Sequence, residues 1–348
     1  MRNNILIGTM LLVMSACSIT ENDVKTIKVD KTDYCEWNSL MEIDQVVPLL
    51  DTLSAPKLSV ARKCVVADQR IFFWDYKSRM IYAYDLDGNY LFTVGGLGRS
   101  DREYIDISDI ALTPDQKEIH VLDKSGIKEY DANTGNFLRK KTFKSIDCSA
   151  ILSFQPCGEY EFLLFTPEMD YSISKIDGSD LTTSLRKRNG YQMIYSRFAL
   201  ANGLYMVIPD YGQYTIDCIQ DNKIIPSYRI DLGGKSLPEE KIPNDYESFI
   251  KVDNSKEYFK VTLGYFENNK YVYASMIGPN QTYYDLFYSK AEERAYVGPH
   301  DLNTNIVFTG MDNEYLYGLV YPEYVKADSP YYDLFRSYIV RGLQSYIS

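Results

Sequence analysis

The chain has 348 residues, which is enough to bury a large core as one domain of repeated units or as two ordinary domains. Hydrophobic residues make up 45% and charged residues 24%, an ordinary globular balance that excludes a disordered chain. The net charge of −11 is spread along the chain and argues against nucleic acid as a partner.

The N-terminus predicts export and a lipid anchor. Arg2 precedes an apolar run over 5–14 that is too short to span a bilayer as a helix, which is typical of a secretory signal. The small residues just before Cys17 resemble the lipobox of bacterial lipoproteins, in which the signal is cut before the cysteine and the cysteine is acylated. We therefore predict a signal peptide over 1–16 and a lipid-anchored tether over 17–41, with a plain secretory signal as the alternative.

A repeat follows the tether. Residues 68–91 alternate turn residues with aromatic and β-branched runs, a pattern typical of half-buried strands. Residues 115–138 repeat this pattern 46 to 47 positions later, which is the length of a four-stranded propeller blade. Weaker versions, each a polar turn before an aromatic strand, begin at Cys157, Asn202, Asn268 and Asp312.

Six such units predict an all-β fold, a six-bladed β-propeller of four-stranded antiparallel blades over residues 42–325. The gap after the fourth unit is about twenty residues longer than a blade, so it carries an insertion, 233–260, with short helices. The inner strand of each blade is predicted just before its turn, over Ala61–Ala67, Ile107–Thr113, Ala150–Gln155, Ser196–Ala201, Val261–Phe266 and Asn305–Gly310.

Both chain ends are predicted to complete the propeller. Only 36 residues follow Asp312, so the last blade lacks an outer strand, which residues 42–49 are predicted to supply. Residues 326–348 carry an apolar residue every four positions and predict a C-terminal amphipathic helix, with a last strand pair as the alternative. Because a closed ring leaves no blade at the end of the array with an uncovered face, we predict a monomer.

Residues 46–112 resemble the six-bladed β-propeller lipoproteins of Bacteroides-type bacteria, which are distantly related to NHL-repeat and TolB-like propellers. In that family the segment after the first blade reads Gly-x-x-Gly-x-Gly-Pro-Gly-Glu-Tyr. This sequence matches it at Gly95, Gly98, Glu103 and Tyr104 and departs from it over 100–102. The resemblance implies a lipid-anchored envelope protein at the outer membrane, on either the periplasmic or the surface side. It implies no particular activity.

Candidate ligand-binding residues do not recur between blades and fall on propeller loops, where ligands enter. The 233–260 insertion is interpreted either as a lid with aromatic contacts to ligand or as decoration packed on the rim. The charged run over 99–103 is either a polar mouth or solvated surface. The predicted ligand-binding set is Trp74, Tyr76, Arg99, Arg102, Glu103, Tyr104, Tyr211, Tyr246 and Phe249.

No residue pattern predicts catalysis or a cofactor. Asp75 and Asp123 recur at one blade position, which indicates a repeated turn cap, and His120 lies mid-strand, where a packed histidine is expected. The absence of CxxC argues against zinc, and calcium binding by loop carboxylates has no motif behind it. Disulfide pairing stays open, with buried free thiols favoured, for Cys35, Cys64, Cys148, Cys157 and Cys218.

These observations favour a non-enzymatic binding module at the cell envelope for a peptide, a glycan or a protein partner. The alternative is a propeller hydrolase or lyase that acts on a saccharide or lactone through carboxylates at the channel mouth. A structural subunit of an envelope complex, which would use an exposed apolar patch, is a third interpretation.

Overall fold

The fold is known from a computed structural model. It describes residues 24–30, 34–35, 43–49, 56, 58–67, 69–178, 180–188, 190–192, 197–300, 306–312, 314–321, 324–329 and 332–333. The predicted signal peptide, Cys17 and most of the predicted C-terminal helix lie outside these residues.

Five four-stranded antiparallel sheets follow one short N-terminal strand, β1 (Lys25–Lys28). Blade one is β2 (Ala61–Ala67), β3 (Arg70–Asp75), β4 (Ile81–Tyr84) and β5 (Tyr90–Val94). Blade two is β6 (Ile107–Leu112), β7 (Glu118–Asp123), β8 (Gly126–Asp131) and β9 (Phe137–Lys141). Blade three is β10 (Ser153–Pro156), β11 (Glu161–Phe165), β12 (Tyr171–Asp177) and β13 (Asp180–Lys187). Blade four is β14 (Phe198–Ala201), β15 (Leu204–Val207), β16 (Thr215–Gln220) and β17 (Lys223–Asp231), and blade five is β18 (Val261–Glu267), β19 (Tyr271–Ile277), β20 (Tyr283–Ser289) and β21 (Arg294–Pro299).

The inner strands form a ring. β2, β6, β10, β14 and β18 contact one another in order, and β22 (Val307–Met311) contacts both β18 and β2. Among the described residues, β22 pairs only with β23 (Leu316–Leu319), so a two-stranded sheet holds the sixth place. The all-β propeller of four-stranded antiparallel blades is confirmed, but the predicted count of six such blades is corrected to five.

The core lies between neighbouring blades, where the apolar faces of adjacent sheets meet. Phe72 and Trp74 of blade one share a buried cluster with Ile119 and Val121 of blade two. The same arrangement recurs between blades two and three, three and four, and four and five. Each sheet therefore covers its neighbour, which explains why a single blade would not be stable alone.

The segment predicted as a tether contributes a strand. β1 pairs in parallel with β17 and gives blade four a fifth strand at its outer edge. Residues 43–49 form no strand, so the predicted outer strand over 42–49 is wrong for every residue of it that the structure describes. Instead, Val47 and Pro48 pack against Gly88, whose φ of +85° and close contact with the Pro48 carbonyl require glycine.

The insertion contains the helix that the sequence predicts. A 3₁₀ turn over Glu239–Lys241 precedes helix α1 (Tyr246–Asp253). Asp245 caps α1, because its carboxylate accepts the Ser248 amide at 2.8 Å while the Ser248 hydroxyl accepts the Asp245 amide at 3.2 Å. No helix among the described residues is long and apolar enough to cross a bilayer.

The five described cysteines are free thiols, as favoured by the sequence. Cys64, Cys148 and Cys218 are buried, and Cys35 and Cys157 are half-buried. Burial raises the pKa of the Cys64 thiol to about 12, so this side chain acts as a small hydrophobic group.

Candidate functional site

Two of the predicted ligand-binding residues belong to the core between blades one and two. Trp74 is 8% exposed and Tyr104 is fully buried in the same apolar cluster. The Tyr104 hydroxyl donates to the Val94 carbonyl at 2.9 Å, and burial raises the pKa of this hydroxyl. Because both side chains are packed among blade residues, neither is available to a ligand.

The remaining predicted residues of the 95–104 loop hold the loop together or point to solvent. Glu103 accepts the Ser100 backbone amide at 3.1 Å, which lowers the pKa of this carboxyl. The carbonyl of Arg102 accepts the Tyr130 hydroxyl at 3.0 Å, and Arg102 borders a hollow of about 530 Å³ beside blade two. This part of the loop is therefore mainly a crossing between blades.

Tyr76 and Arg99 are exposed, and neither contributes to that hollow. The Arg62 guanidinium lies 6.0 Å from the centre of the Tyr76 ring. The two residues thus remain accessible without forming a concave site with the other predicted positions.

The predicted aromatic residues of the insertion region do come together. Phe249 stacks on Tyr191 at 4.6 Å and meets Tyr211 edge-on at 5.1 Å. Tyr211 and Phe249 are buried in a small core with Leu237, while Tyr246 is 65% exposed. The cluster packs the insertion onto blade four, and Tyr246 is the exposed one of these three predicted residues.

The recurring aspartates cap turns. Asp75 is fully buried and accepts the Ser59 amide at 2.6 Å and the Ser78 amide at 2.7 Å. Asp123 occupies the same place in blade two, where it accepts the Ile105 amide at 3.0 Å. Each carboxylate ties the segment before the inner strand to the turn after the second strand, which leaves it no free oxygen for catalysis.

The inner strands also carry a buried ion pair. The Lys63 ammonium lies 2.7 Å from Asp109, and the other Asp109 oxygen accepts the Phe154 amide at 3.1 Å. This aspartate therefore links the inner strands of blades one, two and three. Its charge is compensated, which does not suit a general acid or base at the channel.

Three donor side chains converge inside blade two, where the oxygen or nitrogen atoms of Glu118, His120 and Glu129 lie within 4.8 Å of one another. Two cations already occupy this cluster. Lys141 lies 3.2 Å from Glu129, and Arg139 forms ion pairs with both Glu118 and Glu129. The donor set is therefore better suited to a buried ion-pair network than to a metal ion, which the two cations would repel.

A larger cleft, of about 940 Å³, lies between the outer strands of blade four and the insertion, and we call it the blade-four cleft. Its floor includes Thr215, Arg229 and Thr26, which are directly opposite one another on β16, β17 and β1. Residues paired across strands lie on one face of the sheet, so these side chains form a polar row.

The wall of the blade-four cleft comes from the insertion. Glu239 and Glu240 on the 3₁₀ turn and Asn244 before α1 line this side. Both carboxylates are exposed, and no cation of the described residues lies within 4 Å of either. Within the described part of the chain, Arg229 on the floor likewise has no carboxylate within that distance. The cleft therefore holds charged groups that can bind a ligand.

Sequence reasoning missed this cleft because one of the three strands of its floor, β1, comes from an unexpected pairing. Thr26 and Arg229 are about two hundred positions apart in the sequence, and β1 has only four residues. The insertion itself was the available signal, since a long loop with its own helices is often functional.

Comparison with known proteins places this architecture in a family. The profile of the family described as "Domain of unknown function (DUF4934)" matches residues 58–342. A candidate exported protein of Bacteroides fragilis NCTC 9343 has a structure similar to this one, with a TM-score of 0.71 and 14% identity over 90% of this chain and 95% of that chain. A member of the DUF4221 family from Bacteroides vulgatus aligns with a TM-score of 0.49 and 13% identity, over 75% of this chain and 87% of that chain.

No curated protein sequence matches this chain. The likeness to the Bacteroides fragilis structure, at 14% identity, shows a shared fold and not a shared activity. The family profile spans all five blades, the insertion and the two-stranded sheet. The chain therefore belongs to the DUF4934 family.

Proposed function

We propose that this protein is a binding module, held at the cell envelope by a lipid on Cys17, that receives an extended basic peptide segment in the blade-four cleft. The blade-four cleft supports this function, because it has a polar floor across three strands and a wall bearing Glu239 and Glu240. Concave sites with a few convergent polar groups are the usual places for ligands.

The envelope location rests on the N-terminus. An apolar run followed by small residues and Cys17 supports export and acylation. The similar Bacteroides fragilis structure belongs to a protein named as a candidate for export, which agrees with this location.

The ring arrangement of the inner strands also supports a sixth blade, whose two inner strands would be β22 and β23.

The charges favour a peptide over a glycan. Glu239 and Glu240 have no described cation within 4 Å, and together with Asp231 they outnumber Arg229 in the lining of the cleft. A lysine or arginine side chain of a ligand would therefore complete the pairing. Each exposed ion pair stabilises by about 0.2–1 kcal/mol, so two pairs correspond to about a 2- to 30-fold change in affinity. A glycan would depend on the neutral groups of the floor and would respond little to these carboxylates.

The hydrolase or lyase alternative has less support. It requires carboxylates free to exchange protons, whereas Asp75 and Asp123 cap turns and Asp109 pairs with Lys63. Catalysis is therefore no part of the proposal.

The proposal is tested by screening soluble residues 18–348 against an array of lysine- and arginine-containing peptides and an array of bacterial and host glycans. We expect basic peptides among the hits, with binding that weakens as salt rises. The double variant Glu239→Gln, Glu240→Gln should lose about 2- to 30-fold in affinity. The charge-matched control Asp44→Asn, Glu314→Gln removes two exposed carboxylates outside the cleft and should bind as the wild type does. Glycan hits that both double variants retain would contradict a basic peptide as the ligand.

A further inference from the structure

The N-terminal segment joins two blades on the outer rim. We call its described parts, residues 24–30 and 34–35, the N-terminal clip. β1 follows β17 of blade four in register, and the Val29 amide donates to the Asp231 carbonyl at 2.9 Å. Farther along, the Cys35 amide donates to the Val297 carbonyl of β21 in blade five, also at 2.9 Å. The clip therefore bridges the outer edges of blades four and five.

Side chains of the clip strengthen this docking. Ile27 is fully buried in the apolar cluster between blades four and five. The Lys25 ammonium lies 3.1 Å from Glu293, and hydrogen bonds to Tyr288 and Glu293 raise the pKa of this lysine. The Lys235 ammonium lies 4.1 Å from the centre of the Tyr34 ring. Backbone pairing, apolar burial and charge thus all hold the clip in one position.

Few residues lie between the predicted lipid anchor and the docked clip. Seven residues, 18–24, separate Cys17 from β1. A fully extended chain spans at most about 3.3–3.6 Å per residue, so these residues reach about 25 Å at most. Without the clip, the first described contact with a blade is that of Val47 and Pro48, and the reach from Cys17 would rise to about 100 Å.

We infer that the outer edges of blades four and five face the lipid bilayer, because the N-terminal clip holds them close to the acylated Cys17. This inference rests on the lipid anchor that is part of the proposed function. Since Thr26 of the clip also belongs to the floor of the blade-four cleft, the cleft opens beside the membrane. Its ligand would then be presented near the bilayer surface and not at the far side of the propeller.

The test uses the full-length lipidated protein on vesicles of phosphatidylcholine and phosphatidylglycerol that carry nitroxide-labelled headgroups. A fluorescent amino acid replaces either Lys223, an exposed residue of β17 in blade four, or Leu91, an exposed residue of β5 in blade one. Blades one and four lie opposite each other in the ring of six places. We expect several-fold stronger quenching at position 223 than at position 91, and equal quenching would overturn the inference.

Variants of the clip separate its docking from the anchor. Ile27→Asp places a charge in the apolar cluster and should release the clip, so quenching at the two positions should become equal. The control Lys28→Gln alters an exposed side chain on the same strand and should keep the difference. A strong difference that survives in Ile27→Asp would overturn the role of the clip.

Two further measurements distinguish the possible failures. Hydrogen exchange of residues 25–28 in soluble 18–348 should be slow in the wild type and fast in Ile27→Asp, and fast exchange in the wild type would overturn the inference.

Flotation with the vesicles tests the anchor. The wild type should float and the control Cys17→Ser should not. A wild type that does not float would overturn both the anchor and the inference. Peptide binding by soluble 18–348 needs no membrane, so its presence or absence reports on the cleft alone.

Discussion

At the scale of single residues, buried aspartates hold the turns of the first two blades. Asp75 accepts the Ser59 and Ser78 amides and Asp123 accepts the Ile105 amide, and their recurrence at one blade position predicts this role. Trp74 and Tyr104 do not recur and were expected to meet a ligand, yet both are buried. Their burial depends on the neighbouring blade, which no local pattern reveals.

The turn caps make the stability of the protein sensitive to acid. Burial would raise the pKa of Asp75, but hydrogen bonds from Ser59 and Ser78 outweigh it and hold this pKa below its ordinary value. A carboxyl with a lowered pKa stabilises the fold above the unfolded pKa of about 3.9, and this contribution is lost as the pH falls toward the folded pKa.

We expect the urea midpoint of the wild type to fall between about pH 5 and pH 3, and to fall less in Asp75→Asn. The comparison is made by tryptophan fluorescence at matched salt. As a control, Asp44→Asn, at an exposed position, should keep the full pH dependence. An Asp75→Asn protein with the same acid sensitivity as the wild type would contradict the role of this carboxylate.

At the scale of elements, the sequence predicts strands well where turn chemistry and apolar runs coincide. The predicted inner strands of blades one and two, Ala61–Ala67 and Ile107–Thr113, differ from β2 and β6 by at most one residue. β1 was missed because four alternating residues in a polar segment carry little signal. It forms because the edge of β17 offers backbone partners and a buried place for Ile27.

The insertion depends on one aromatic side chain. Phe249 contacts Tyr191 and Tyr211, and its removal should leave a cavity beneath α1. We expect Phe249→Ala to cost about 3–5 kcal/mol of local stability and to speed hydrogen exchange of residues 246–253 by about two to four orders of magnitude. The matched control is Tyr246→Ala on the same helix, where the side chain is 65% exposed and little change is expected. Equal protection in the two variants would show that the aromatic cluster does not hold the helix.

At the scale of the whole molecule, the ring of inner strands makes the blades interdependent. A structure that is only 14% identical keeps the same architecture with a TM-score of 0.71, which shows that the pattern of strands matters more than particular side chains. The sequence predicted this pattern from its repeat. It could not show how many strands the last unit contributes, because the weak repeat at Asp312 has few residues after it.

Closure of the ring can be tested at β22. Phe308 meets Tyr273 of blade five edge-on at 5.0 Å, whereas Val307 on the same strand is 51% exposed. We expect Phe308→Ala to destabilise the whole propeller by about 2–3 kcal/mol and to lower a single cooperative thermal midpoint by about 3–5 °C. Val307→Ala should shift the midpoint by far less. A second, separate transition in Phe308→Ala would mean that the sixth place unfolds independently of the ring.

The proposed ligand lies between blade four and the insertion. The most direct measurement is a crystal structure of residues 18–348 with the tightest-binding basic peptide from the array. We expect the peptide to cross the row formed by Thr215, Arg229 and Thr26, with a basic side chain against Glu239 or Glu240. A peptide bound in the central channel or at the 95–104 loop would contradict it.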